Sequence, residues 1–134
     1  MPRVSAWLVR ASLLCLAAGA TLGTVLLAGK AGWGLPAGGA WLAVHRELLL
    51  VGWLVQLALG VGFWILPPVR GEAIRERPAW RVAGLLNAGL VVFAAGALWS
   101  APDGIVAHLP AAGRTLEALA VLGFAVPLLR RSFR

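Results

Sequence analysis

Four long apolar runs, separated by short segments rich in arginine, proline or glycine, constrain this chain more than any other feature. A bilayer core about 30 Å thick is crossed by about 20 apolar residues of helix. The first run extends from about Ala11 to Ala28 and is uncharged between Arg10 and Lys30. The second extends from about Trp41 to Leu66 and stops at Pro67-Pro68, where a missing N–H and a ring clash end a helix. The third starts near Pro78, a residue suited to a first helical turn, and reaches Trp99 ahead of Ala101-Pro102-Asp103-Gly104. The fourth runs from near Pro110 to Leu129, ahead of Arg130 and Arg131, with Pro127 expected to tighten or kink its last turn. These runs predict an all-α integral membrane four-helix bundle forming one transmembrane domain over residues 1–134.

Composition agrees. Hydrophobic residues are 60% of the chain and charged residues 13%, against roughly 25% charged in an average soluble domain. So few charges cannot cover a water-exposed surface, which excludes a soluble enzyme and a disordered chain. Cys15 is the only cysteine, so there is no intrachain disulfide and no CxxC metal or redox motif. The first run has the arginine-then-apolar pattern of a signal peptide, but at about 18 residues it is long for an h-region and is expected to be a retained helix.

The net charge of +7 does not point to nucleic acid, because the basic residues form no stripe interleaved with exposed aromatics. They alternate by side instead. Arg3 and Arg10 precede the first run; Arg70, Arg75, Arg77 and Arg81 lie between the second and third; Arg130, Arg131 and Arg134 follow the fourth. The first intervening loop holds only Lys30, and the last holds no cation before Arg114. The positive-inside rule then puts both termini in the cytoplasm, with the chain in the cytoplasmic (inner) membrane. Trp33, Trp41, Trp80 and Trp99 fall near the run boundaries, as an interfacial belt requires. Between Arg70 and Arg81, Glu72 and Glu76 alternate with arginines and read as a solvated, self-paired connector.

Ionisable side chains at membrane depth are costly and face a bundle interior or a site. The candidates are His45, Arg46 and Glu47 at the outer end of the second run, Arg114 and Glu117 at the outer end of the fourth, and His108 just before it. At 100° per residue, His45, Leu49, Gly52, Gln56, Gly60 and Phe63 share one helix face. Such a face offers a nitrogen ligand above bare backbone that admits a flat cofactor; equally, it reads as a tight helix–helix seam with a capping histidine. Arg114 and Glu117, three residues apart, are placed to pair. Glu117 is alternatively placed to reach Arg46 or His45 and fix the imidazole.

The pattern His45, Leu48-Leu49, Gly52-Trp53, Gly60, Phe63-Trp64 and Pro67 resembles the second transmembrane helix of heme-copper oxidase subunit I, the nitric oxide reductase branch above all. It is also similar to short four-helix membrane proteins described as cytochrome oxidase subunit I-like, whose third helix resembles Trp80 and Leu86-Asn87-Ala88-Gly89-Leu90. The resemblance covers Val44 to Leu90, about a third of the chain. It implies that His45 is an axial ligand of a low-spin heme b near the outer face. Glu47 stands where many short relatives carry a second histidine. The later helices that supply the copper and high-spin heme ligands have no counterpart, so no oxygen or nitric oxide reduction is expected of this chain alone.

Two ligand sets follow. Bis-histidine heme needs two imidazoles on opposite ring faces, from His45 with His108 or from two copies of His45 in a homo-oligomer, with Gly52 and Gln56 lining the ring. Alternatively His45, Glu47 and His108, with Asp103, hold Zn²⁺ or Cu²⁺ by nitrogen and oxygen. His108 otherwise reads as a solvated loop histidine. The functions expected are electron transfer, sensing or cofactor handling through His45, or a cofactor-free structural or accessory subunit of a larger respiratory membrane complex. A transporter or channel ranks last, because Thr21, Thr24, Gln56 and Asn87 make a thin polar inventory for a pore.

Overall fold

The computed structural model describes residues 1–35, 38–66, 76–99 and 104–132. They form helices α1 (Arg3–Lys30), α2 (Gly39–Ile65), α3 (Glu76–Leu98) and α4 (Leu109–Ser132), the last entered through a 3-10 turn at Ile105–His108. All four are long and apolar enough to cross a membrane. The helix stop expected at Pro67-Pro68, the loop residues Arg70, Glu72 and Arg75, the turn at Ala101-Pro102-Asp103 and Arg134 lie outside the described residues.

The helix α1 starts at Arg3, well ahead of the expected Ala11. Arg3 and Arg10 do not break it, because a long cationic side chain leaves the apolar surface while its backbone stays helical, and Val4 and Leu8 between them are fully buried. Pro78 falls in the first turn of α3, where its missing N–H has no intrahelical partner to lose. The helix α4 runs through position 127 to Ser132, so the proline there does not end it.

The helices run alternately up and down. Gly60 lies against Leu8 and Gly23 against His45, which makes α1 and α2 antiparallel; Gly96 against Pro110 and Gly123 against Val82 do the same for α3 and α4. The Arg3 backbone N–H donates to Glu76 Oε1 at 3.3 Å, which puts the starts of α1 and α3 together. At that end Val4, Leu8, Leu59, Phe63, Leu86 and Phe124 form the larger apolar cluster, with Phe63 and Phe124 edge to face at 5.8 Å. His45 is at the opposite end, beside the smaller cluster of Val44, Phe93 and Ala97. In a bilayer, lipid would supply no hydrophobic drive for association of such helices, and small residues that let backbones approach would hold the bundle. Large side chains such as Leu14, Leu27 and Val91 face outward, as lipid-facing positions do.

One feature of α2 has no counterpart in periodicity: Leu48–Val55 is a π-helix of eight residues, and the Gln56 N–H reaches the Val51 carbonyl five residues back. Such segments are rare, are mostly single-turn bulges, and cluster at functional sites.

Candidate functional site at the His45 end of the bundle

The helix α2 runs back along α1, and His45, one residue beyond the buried Val44, points at α1. Its Nδ1 is 2.8 Å from the Gly19 carbonyl oxygen. A carbonyl only accepts, so Nδ1 carries the proton and donates, which leaves the Nε2 lone pair free of protein hydrogen bonds among the described residues. The ring fits because α1 has glycine there: a Cβ on Gly23 would stand 2.6 Å from His45 Cε1.

Two residues on, Glu47 points the other way. It is buried, and Arg114 Nη2 donates to its Oε2 at 3.3 Å. The Arg114 guanidinium also lies over the Phe93 ring, 4.7 Å from its centre. Glu117, 4% exposed, brings its carboxyl to that of Glu47 at hydrogen-bonding reach, while its Oε1 has no partner. Gly89 makes room for it, since a Cβ there would stand 2.7 Å from Glu117 Cγ. The Arg114–Glu117 pair expected from spacing is thus replaced by an interhelical one: Arg114 reaches Glu47, and Glu117 meets Glu47 rather than Arg46 or His45.

The candidate ligands divide accordingly. His45 faces α1, Glu47 faces α4, and His108 is exposed in the 3-10 turn. No three His, Cys, Asp or Glu side chains among the described residues are grouped to hold a metal ion; Asp103 is outside them. The face that shares the His45 side is present, and α1 covers it. A Cβ on Gly52 would stand 2.9 Å from Cys15 Cβ and one on Gly60 2.9 Å from Leu8 Cβ. Gln56, between them, is fully buried with neither amide atom bonded. The backbone patches that would admit a flat ring are therefore filled by side chains of α1, and the residues present do not fit a heme laid against Gly52 and Gln56 within one chain. Spacing gave no signal for the π segment or for the Glu47–Glu117 contact.

No family model, no curated protein and no solved structure matches the chain.

Proposed function

We propose that the chain is a multi-pass protein of the cytoplasmic membrane that acts as a cofactor-free structural or accessory subunit of a larger membrane assembly. The observation carrying this reading is the occupied glycine face of α2. Cys15 and Leu8 of α1 fill the space a cofactor would need, and interhelical packing then accounts for the pattern that resembles oxidase subunit I. The respiratory nature of the assembly rests on that resemblance alone. The alternation of arginine clusters supports both termini facing the cytoplasm and His45 lying toward the outer face. Extraction in mild detergent tests the reading: a colourless, metal-free chain that co-purifies with larger membrane proteins is expected. A Soret band that disappears in His45→Ala would overturn it.

One observation favours a second reading. Donation of Nδ1–H to the Gly19 carbonyl fixes the imidazole as outer hydrogen bonds do at metal sites, with Nε2 available. Under this reading a b-type heme or a metal ion is shared between His45 and a second copy or a partner. It requires bound heme or metal at no more than one per two chains in homo-oligomers, lost in His45→Ala. A monomeric chain carrying its own heme would contradict both readings.

A further inference from the structure

The end of the bundle opposite His45 carries cations that the packing does not use. Arg3 and Arg10 of α1 and Arg77 and Arg81 of α3 are all exposed, and none forms a salt bridge to a described residue. The Glu76 carboxylate beside them accepts the Arg3 backbone N–H at 3.3 Å and so ties the two helix starts together. That still sets four guanidinium groups against one carboxylate.

The helices bring these cations to one place. Trp7 and Trp80 meet with ring centres 5.7 Å apart, and both stay exposed. At 100° per residue, Arg3 and Arg10 lie within about 60° of Trp7, on the side turned away from the buried Val4 and Leu8. Arg77 and Arg81 lie within about 100° of Trp80, on the side turned away from the buried Ala79 and Ala83. The tryptophan pair is thus the floor of an outward-facing groove between α1 and α3, with arginines along both rims. Arg3 and Arg10 are about 10 Å apart along the helix axis, a separation that a long arginine stem closes by reaching toward the helix start.

This combination suits one kind of partner. Guanidinium groups without counterions repel one another and make paired N–H bonds to phosphate oxygens. Tryptophan settles where acyl chains give way to headgroups, the depth at which a lipid places its phosphate. A soluble anion would use the arginines and leave the aromatic floor unused.

We propose that the α1–α3 groove around Trp7 and Trp80 binds the headgroup of an anionic phospholipid of the cytoplasmic leaflet. Its phosphate lies between Arg3 and Arg10 on one rim and Arg77 and Arg81 on the other. Basic pockets between helices on the cytoplasmic side are suited to such headgroups. The inference rests on the membrane reading above, with the start of α1 toward the cytoplasm, and not on the role of His45.

Electron spin resonance of the full chain in phosphatidylcholine vesicles tests it, with spin-labelled phosphatidylglycerol and spin-labelled phosphatidylcholine as probes. The phosphatidylglycerol probe is expected to associate at least about threefold more strongly than the other. Arg10→Gln with Arg81→Gln is expected to remove roughly half of that preference or more. Arg130→Gln with Arg131→Gln removes the same charge from the end of α4, at the same end of the bundle, and should leave the preference nearly unchanged. Arg10→Lys with Arg81→Lys keeps the charge and should give an intermediate preference, because an ammonium cannot make the paired bonds. Equal losses from the two glutamine pairs overturn the proposal, since attraction would then be spread over the whole basic end. So does a lysine pair indistinguishable from the unsubstituted chain, or an unsubstituted chain with no preference. A chain that does not enter the vesicles at all sinks the membrane reading and this site with it.

Discussion

The two antiparallel pairs in this bundle are built by different means. Between α3 and α4 the close contacts reach the backbone: a Cβ on Gly113 would stand 2.6 Å from the Phe93 backbone nitrogen, one on Gly96 2.5 Å from Leu109 Cβ and 2.8 Å from Pro110 N, and one on Gly89 2.9 Å from the Gly113 carbonyl oxygen beside the Glu117 side chain. Between α1 and α2 the glycines instead receive side chains, Leu49 at Gly19, His45 at Gly23, Cys15 at Gly52 and Leu8 at Gly60. Backbone, and the Cβ atoms fixed to it such as those of Cys15 at Gly52 and Leu8 at Gly60, cannot yield, but the ends of Leu49 at Gly19 and His45 at Gly23 can choose other rotamers. The α3–α4 pair is thus the more rigid platform, the π segment and the imidazole lie in or beside the adaptable His45 end of the α1–α2 pair, and the unbonded amide of Gln56 lies between its two closed positions at Gly52 and Gly60.

This contrast breaks first if glycine replacements cost the same in both seams. Gly113→Leu is expected to destabilise by about 3 kcal/mol, the upper end of the usual overpacking range. Gly19→Ala should cost about 1 kcal/mol or less, because the nearest atom is the mobile Leu49 Cδ2, 2.7 Å from a Cβ there. Reversible unfolding in mixed micelles measures both. Equal losses would mean that the α1–α2 contacts are as rigid as the backbone contacts opposite.

The next effect lies where α2 meets the platform. Arg114→Ala removes the donor to the buried Glu47 and leaves Glu117 facing that carboxyl without the guanidinium. A loss of about 1–3 kcal/mol is expected, moderated because the Arg114 side chain is 63% exposed. Glu117→Gln keeps the shape and gives Glu47 an amide donor, so it should be neutral or stabilising. A loss as large as that of Arg114→Ala would show that the Glu117 carboxyl itself is required.

A smaller effect is expected at the imidazole. Gly23→Ala forces the His45 ring aside and breaks its bond to Gly19; interhelical hydrogen bonds in membranes average about 0.6 kcal/mol and reach about 1.7. His45→Ala loses the same bond, so the double variant should lose little more than either single one. Additive losses would place the two residues in separate contacts.

Much of this was legible in the sequence, and what was not has a physical cause. The four helices follow from run lengths, because hydrophobic thickness is a property of each segment alone. The face running from His45 through Gly52 and Gln56 to Gly60 was also legible, since helical periodicity is local. Its surroundings were not: a bare glycine face suits a porphyrin and a neighbouring helix equally, and the placement of α1 against it is a long-range contact that periodicity does not encode. The pairing of Arg114 with Glu47 rather than Glu117 was hidden for the same reason, because α2 and α4 are far apart in sequence. No spacing rule encodes the π segment at Leu48–Val55.

The smallest effect isolates the platform from its surroundings. Gly84 is on the outer side of α3, and a Cβ there meets nothing within 4 Å. Alanine avoids the entropy that glycine loses in a helix, about 0.5–1 kcal/mol in water, and at Gly84 no neighbour opposes it. Gly84→Ala should therefore stabilise slightly, whereas Gly89→Ala, one turn and a residue further on, should destabilise because Glu117 Cγ and the Gly113 carbonyl occupy the space. The sign difference within one helix separates glycines required by packing from a glycine that is not. A loss at Gly84 would reveal a neighbour on that face, a second copy or an assembly partner, and would make the outer surface of α3 an interface.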